Sequence, residues 1–174
     1  MKKKVVSLIV PVFNEDECLE ELCNRLSAVF DSEDSYEFEC VLIENGSTDH
    51  SLRKMIEARG RDSRYKIAQL SRNFHMDGAI TAGLEYVTGD ACVIMASDLQ
   101  DPPEVIPDFL RLWEDGAENI YGEVVQRQGT GLFRRFNSWL FYKLAGRLTN
   151  GLIVRNASDF RLVDKRVYMA VRAM

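Results

Sequence analysis

Short apolar runs alternate with amphipathic stretches along most of the sequence, and this alternation constrains the fold more than any other feature. β-Branched runs of this kind are typical of buried parallel strands, and the helical periodicity between them indicates helices packed on the sheet. The predicted strands cover residues 5–10, 38–44, 65–70, 91–96, 119–124 and 159–163. The predicted helices cover residues 17–31, 77–87 and 104–114, and a further helix that starts within residues 45–49 carries Leu52, Met55 and Ile56. We therefore predict an α/β fold with a Rossmann-like, mostly parallel sheet flanked by helices.

The fourth predicted strand ends at a group of oxygen-bearing side chains. Asp98, Gln100 and Asp101 follow the apolar run, and two prolines then prevent the strand from continuing. Ligands of open α/β sheets bind outside the carboxyl ends of the strands, and carboxylate and amide oxygens suit Mg²⁺ or Mn²⁺. Asp98 and Gln100 are therefore candidate metal ligands. In an alternative interpretation, Asp98 and Asp101 only cap the helix that follows.

The charge of the chain is unevenly distributed. The chain has 174 residues, the length of one domain, and a net charge of −5. Residues 124–158 contain no acid and contribute +6, so the other residues carry −11. The basic residues of this segment are Arg127, Arg134, Arg135, Lys143, Arg147 and Arg155. One basic segment on an acidic body indicates an anionic partner at that segment.

Within the basic segment, residues 132–148 predict a helix with excess aromatic side chains. Such a helix is typical of one lying at a membrane surface, but an ordinary core helix with a solvated basic side explains the pattern equally well. No apolar run approaches the ~20 residues of a membrane span, and we interpret the run at 5–10 as a strand and not as a signal peptide. The four cysteines form no CxxC pair, which favours reduced core cysteines in a cytoplasmic protein.

Two common nucleotide-binding signatures are missing from the sequence. No GxGxxG follows the first strand, and there is no GxxxxGK[ST], which argues against a dinucleotide dehydrogenase and a P-loop enzyme. A nucleotidyltransferase would need a glycine-rich, basic loop after the first strand, and residues 11–15 contain neither glycine nor a base. Glu44 or Asn45, at the end of the second strand, is instead a candidate for a hydrogen bond to a base or ribose.

Several short motifs occur in an order that resembles a known family. They are VPVFNE (10–15), ENGSTD (44–49), LSRNF (70–74), TGD (88–90), DLQDPPE (98–104) and DFR (159–161). Together they resemble the family 2 glycosyltransferases of GT-A fold, in the branch of polyprenyl- or dolichyl-phosphate mannosyl- and glucosyltransferases. The resemblance implies one GT-A catalytic domain over 1–174, with a nucleotide-binding half at about 1–100 and an acceptor-side half at about 101–174. It also implies that the full-length protein continues beyond residue 174.

The resemblance further implies roles for individual residues. The residues that would hold the donor nucleotide are Pro11, Asn14, Glu15, Glu44 and Asn45. The metal, Mg²⁺ or Mn²⁺, would be bound by Asp98 and Gln100. The residues assigned to the acceptor phosphate are Arg127, Arg134 and Ser138. The residues assigned to the reacting centre are Asp98, Asp159 and Arg161.

The implied reaction is the metal-dependent, inverting transfer of a hexose from a UDP- or GDP-linked sugar to a polyprenyl phosphate, at the cytoplasmic face of a membrane. A phosphate acceptor needs no strong general base, so we interpret His50 and His75 as surface or loop residues. A saccharide acceptor would need a base, and Asp159 is the candidate.

Two positions depart from the family pattern. Ala96 stands in place of the first metal-binding aspartate, and Glu44-Asn45 stands in place of a pair of aspartates. The loss of one carboxylate from the metal site supports an alternative function, a catalytically weakened module that binds nucleotide sugars or a membrane surface.

Overall fold

The structure is a computed structural model that describes residues 2–123 and 157–174, and it confirms the α/β prediction. Strands and helices alternate along the chain as the apolar pattern indicates. In order, the elements are β1 (Lys4–Val12), α1 (Leu19–Ser32), β2 (Tyr36–Glu44), α2 (Ser51–Arg61), β3 (Tyr65–Gln69), α3 (His75–Leu84), β4 (Ala91–Ile94), a 3₁₀ turn (Pro103–Val105), α4 (Ile106–Glu114), β5 (Asn119–Glu123), β6 (Ala157–Asp164) and α5 (Lys165–Arg172).

The described strands form one sheet in the order β3-β2-β1-β4-β6-β5. β1 lies at the centre and pairs in parallel with both β2 and β4, while β2 pairs in parallel with β3. β6 pairs with β4 in the antiparallel direction, with Arg161 opposite Ile94. The sheet is therefore mostly parallel, and the carboxyl ends of β1 to β4 lie at the same edge. We call this the carboxyl edge, and the opposite side the amino edge.

Hydrophobic clusters cover both faces of the sheet. Alternate residues of a strand point to opposite faces, so Leu8 and Ile9 belong to different clusters. The cluster around Leu8 includes the buried residues of α1, α2 and α4, and the cluster around Ile9 includes those of α3 and α5. Burial on both faces explains why the central strands are continuous apolar runs.

The small residues of α3 allow this helix to approach the sheet closely. A β-carbon added at Gly83 would lie 2.6 Å from Cγ2 of Ile9. This distance is shorter than a van der Waals contact, so a larger residue there would push the helix away from the strand.

The structure differs from the sequence prediction at several boundaries. β4 ends at Ile94, two residues earlier than predicted. The backbone turns after it, and the Ala96 N–H donates a hydrogen bond to Asp101 Oδ2 (3.1 Å) and not to a neighbouring strand. α3 covers His75–Leu84 rather than residues 77–87. The helix α5 was not predicted; its Tyr168 is buried and donates a hydrogen bond to the carbonyl oxygen of Gly89 (2.5 Å).

The chain divides into two compact units, Met1–Ile120 with Asp159–Met174, and Tyr121–Ser158. The second unit lies almost wholly outside the described residues, as does the predicted basic helix at 132–148. The division into a nucleotide-binding half and an acceptor-side half stays a prediction. No helix in the described ranges is long and apolar enough to cross a membrane. All four cysteines are free, and Cys23, Cys40 and Cys92 are buried, as the sequence predicted.

Candidate active site

An open cavity of about 390 Å³ lies at the carboxyl edge. Its walls come from the ends of β1, β2 and β4 and from the start of α3. The lining residues are Pro11, Val12, Phe13, Glu15, Asn45, Asn73, His75, Met76, Ala96, Ser97 and Asp98. This is the edge where open α/β sheets bind their ligands. Of the predicted site residues, the cavity brings together Pro11, Glu15, Asn45 and Asp98.

The loop after β1 is joined to the loop after β2 by hydrogen bonds. Asn14 adopts a left-handed backbone conformation, with φ of 55°, and its Oδ1 accepts a hydrogen bond from the Thr48 N–H (2.8 Å). Next to it, the Glu15 N–H donates to Ser51 Oγ (2.9 Å). Asn14, predicted to contact the nucleotide, therefore uses its side-chain oxygen to fix the neighbouring loop, and it does not line the cavity.

Glu44 forms its hydrogen bond within the loop that follows it. It is the last residue of β2, only 2% exposed, and its Oε1 accepts a hydrogen bond from the Ser47 N–H (2.5 Å). The carboxylate thus shapes the turn after β2 and is not among the residues that line the cavity.

Asn45 lines the cavity but uses its amide to hold the loop after β3. Its Nδ2 donates to the carbonyl oxygen of His75 (3.1 Å) and to Oδ1 of Asn73 (3.3 Å). Its Oδ1 accepts a hydrogen bond from the Phe74 N–H (2.9 Å). Because both ends of this buried amide are engaged, Asn45 positions the residues around it.

The turn after β4 presents Asp98 to the cavity. Leu99 is left-handed, with φ of 61°, and Asp98 Oδ1 accepts a hydrogen bond from the Gln100 N–H (3.1 Å). Asp101 Oδ2 accepts a hydrogen bond from the Ala96 N–H (3.1 Å), and the alternative in which Asp98 and Asp101 cap the following helix stays a prediction. Gln100 is exposed and does not line the cavity.

A residue with positive φ follows each of β1 to β4: Asn14, Gly46 and Leu99 lie in loops, and His75 is the first residue of α3. For a residue other than glycine, this conformation costs roughly 1–2 kcal/mol. Strain of this kind persists only where the surroundings determine the backbone, and it is concentrated at functional sites. Its recurrence along one edge supports a functional role for the cavity.

Negative charge is concentrated at the cavity. Burial raises the pKa of Glu15 above its usual value, and the nearby charges of Asp98 and Asp49 raise it further. A contact with Cys18 acts in the opposite direction but does not cancel the effect. Carboxylates that oppose each other's ionisation favour binding of a cation between them.

Asp159 and Arg161 lie at the same edge but not on the cavity wall. Arg161 is opposite Ile94, the last residue of β4, so Asp159 lies beyond the carboxyl end of that strand. The two side chains form an exposed ion pair of 3.4 Å. The other predicted residues on this side, Arg127, Arg134 and Ser138, lie outside the described residues.

The residues present fit a divalent metal that is shared with a ligand. Asp98 provides a hard oxygen donor on the cavity wall, Glu15 adds negative charge on the same cavity, and Gln100 offers an exposed amide oxygen from the same turn as Asp98. Among the described residues, no three acids, histidines or cysteines are grouped to hold a metal by themselves. Mg²⁺ commonly binds in this way, through one or two carboxylates with phosphates and water as the other ligands.

Sequence reasoning missed part of the cavity wall. Phe13, Asn73, His75, Met76 and Ser97 line it without having been predicted as site residues. The LSRNF motif ends at Phe74, directly before His75, and this was the sequence feature that could have pointed to His75 as a site residue. The left-handed conformation that brings His75 to the wall depends on hydrogen bonds to other loops, which a local pattern does not reveal.

Solved structures with the same architecture show that the fold is GT-A. Glucosyl-3-phosphoglycerate synthase from Mycobacterium tuberculosis, in complex with Mn²⁺, uridine-diphosphate and phosphoglyceric acid, superposes with a TM-score of 0.71 at 17% identity, over 94% of this chain and 57% of that chain. A mannosyltransferase from Pyrobaculum calidifontis, in complex with GDP-Man and Mn²⁺, gives a TM-score of 0.68 at 16% identity, over 98% of this chain and 47% of that chain.

The chain belongs to glycosyl transferase family 2, whose family model matches residues 7–172. An uncharacterized glycosyltransferase of Synechocystis is 36% identical over 97% of this chain and 53% of the relative. A prophage bactoprenol glucosyl transferase homolog of Escherichia coli is 35% identical over 97% of this chain and 55% of the relative. The chain thus spans about half the length of the curated relatives it matches.

Proposed function

We propose that this chain forms the catalytic domain of an inverting hexosyltransferase that uses a nucleoside diphosphate sugar as donor and a polyprenyl phosphate as acceptor. The observation that carries the proposal is the acidic cavity at the carboxyl edge of a family 2 chain, with Asp98 on its wall. The bactoprenol glucosyl transferase of Shigella phage SfX, 33% identical over 97% of this chain, supports a polyprenyl phosphate as acceptor.

Donor binding would use the strand ends and the loop carboxylates. Pro11 and Glu15 provide one wall of the cavity, and Asn45 keeps the opposite loop in place. Mg²⁺ or Mn²⁺, held by Asp98 and Gln100, would neutralise the diphosphate and stabilise the charge that develops on it as leaving group. Because Ala96 contributes no ligand, we expect the metal to bind together with the nucleotide and only weakly without it.

A phosphate acceptor needs no strong general base from the protein. A phosphate monoester has a second pKa of ~6, so its oxygen is largely ionised near neutral pH. This oxygen would form a bond to the anomeric carbon while the bond from that carbon to the donor diphosphate breaks. A single displacement of this kind inverts the configuration, and a lipid acceptor places the reaction at a membrane surface. We assign the acceptor phosphate to Arg127, Arg134 and Ser138, and a role near the reacting carbon to Asp159 and Arg161.

The experiment that tests the donor site is calorimetric titration of the chain with UDP and with GDP, each with and without Mn²⁺. We expect one nucleotide to bind, and only when Mn²⁺ is present. Asp98→Ala should abolish this binding while the melting temperature stays unchanged, since Asp98 is partly exposed. The absence of binding by either nucleotide would contradict the proposal, and unchanged affinity in the variant would contradict the metal assignment.

Transfer itself is tested with radiolabelled UDP-glucose or GDP-mannose and undecaprenyl phosphate. Label should enter the organic phase, and Asp98→Ala should reduce the rate by roughly a hundredfold or more, because metal stabilisation is worth several kcal/mol. A second candidate function is a binding module without turnover, favoured by the missing carboxylate at Ala96. Tight, Mn²⁺-dependent nucleotide binding with no transfer would identify that module.

A further inference from the structure

His75 is the basic residue among the described residues that line the cavity. It is the one among them whose side chain can become cationic, and it shares the wall with Glu15 and Asp98. The imidazole forms no hydrogen bond or ion pair with any residue that the structure describes, and the residue is exposed. Its ring nitrogens are therefore free, within this part of the chain, to contact a ligand.

The backbone of His75 is held on both sides in a conformation that histidine does not favour. Its φ is 61°, its N–H donates to Asn73 Oδ1 (2.7 Å), and its carbonyl oxygen accepts from Asn45 Nδ2 (3.1 Å). Asn45 is buried, and this hydrogen bond is partly buried. These bonds engage the backbone of His75 and keep its side chain at the cavity wall.

Glycine would fit this backbone without strain. A histidine at φ of 61° therefore costs the fold free energy, and strain of this kind indicates that the imidazole has a function. The cavity would receive a diphosphate whose negative charges meet the acids that line it, and an N–H donor in the same lining would help to offset that repulsion.

We propose that the His75 imidazole donates a hydrogen bond to a phosphate oxygen of the donor diphosphate, which makes His75 a donor-binding residue of this site. The inference rests on the proposed function, because it needs a nucleoside diphosphate in the cavity. It identifies a contact that neither the motif pattern nor the acidic residues provide.

The test is the His75→Gly variant, which removes both the imidazole and the backbone strain. We expect UDP or GDP, whichever the unmodified chain binds with Mn²⁺, to bind at least about tenfold more weakly, since hydrogen bonds to charged groups are strong. The melting temperature should stay unchanged or rise. His50→Ala is the matched control, because His50 is also exposed and does not line the cavity; it should bind as the unmodified chain does.

The outcomes separate this inference from the proposed function. Unchanged affinity in His75→Gly overturns the role of His75 and leaves the donor site standing. Absence of nucleotide binding by the unmodified chain overturns both. If His75→Gly also lowers the melting temperature, His75→Arg decides, because it keeps an N–H donor on the same strained backbone: retained affinity supports the inference, and a tenfold loss overturns it.

Discussion

Glu15 at the carboxyl edge and Glu39 in the amino half of the sheet have pKa shifts in opposite directions. At the carboxyl edge, burial and neighbouring negative charges raise the pKa of Glu15. In the amino half of the sheet, burial opposes the ionisation of Glu39, but hydrogen bonds from Lys66, Ser7 and the Thr88 N–H outweigh it and lower its pKa. Ionised Glu39 therefore stabilises the fold, whereas ionised Glu15 is held at a cost that a bound cation would relieve.

Cavity size alone would not distinguish the two edges. The amino edge has the larger open cavity, about 630 Å³, lined by Lys2, Lys3 and Lys4 among others. Part of its charge is paired: Lys4 bonds to Glu114 (2.9 Å), and Asp164 accepts a hydrogen bond from the indole of Trp113 (2.9 Å). None of the described residues that line it has a positive φ, so backbone strain and acidic lining, and not volume, locate the candidate site at the carboxyl edge.

Alanine substitutions at two glycines, Gly46 at the carboxyl edge and Gly89 at the amino edge, should have the largest effects on stability. At Gly46, φ is 79° and an added β-carbon would lie 2.7 Å from the backbone of Asn73, so Gly46→Ala should cost about 2–4 kcal/mol of unfolding free energy. It should also weaken nucleotide binding, since it displaces the loop before His75. Urea denaturation and calorimetry measure both quantities.

Gly89→Ala is the counterpart at the amino edge. The added β-carbon would lie 2.6 Å from Ser7 Oγ and 2.8 Å from the Ala91 carbonyl oxygen, which should cost roughly 1–3 kcal/mol. The dissociation constant for the nucleotide should not change at temperatures where the variant is folded. A loss of affinity comparable with that of Gly46→Ala would show that the two edges are coupled.

Glu39→Gln should lower the free energy of unfolding by about 1–3 kcal/mol at neutral pH. Because its folded-state pKa lies below the usual 4.5, ionised Glu39 stabilises the fold above that pH, and this contribution is lost as the pH falls through the folded-state pKa. The variant should therefore show a weaker loss of stability on acidification. Glu114→Gln, which breaks an exposed pair, is the control and should cost at most about 1 kcal/mol.

Ala96→Asp tests the incomplete metal site. A third carboxylate on the cavity wall, beside those of Glu15 and Asp98, should raise the Mn²⁺ affinity of the nucleotide-free chain by roughly tenfold, because affinity follows the number of charged ligands. Electron paramagnetic resonance of free and bound Mn²⁺ measures the change, and Ala96→Asn controls for side-chain size. Equal Mn²⁺ affinity in all three proteins would show that position 96 does not face the metal.

Glu15→Gln has the smallest expected effect. A carboxyl group whose folded-state pKa is raised contributes stability below its usual pKa and loses it as the pH rises through the folded-state value. The variant should therefore be slightly more stable at neutral pH, by less than about 1 kcal/mol. Thermal melts at several pH values measure this difference, and the exposed Glu17→Gln should not show it. A loss of stability in Glu15→Gln would contradict the charge argument for the carboxyl edge.

The sequence predicted the sheet and the edge that holds the site because these follow from local patterns. Apolar runs identify parallel strands, and their carboxyl ends lie at one edge, so Asp98 could be assigned to the cavity wall. β6 could be predicted as a strand, but its antiparallel place beside β4 depends on a pairing across many residues. The same limit applies to α5, since Tyr168 is fixed by a hydrogen bond to Gly89 far away in the chain.

The roles of the loop residues were harder to predict. Asn14, Glu44 and Asn45 have the side chains that a nucleotide site requires, yet Asn14 and Asn45 bond to neighbouring loops and Glu44 bonds within its own loop. Amide and carboxylate groups serve both purposes, and only the tertiary arrangement decides between them. Conversely, no sequence pattern identified His75 as a site residue, because its position on the cavity wall results from hydrogen bonds made by Asn45 and Asn73.

The sheet order has a consequence for how the molecule is built during synthesis. β5 leaves the ribosome before β6, yet β6 lies between β4 and β5 in the finished sheet. A nascent chain that has emerged as far as residue 123 therefore contains the cavity walls but has an unpaired edge at β4, which is a site for wrong association. Insertion of β6 is a non-local step, so we expect it to be the slow one in folding. Asp159, which β6 contains, would then reach the carboxyl edge after the cavity walls have formed.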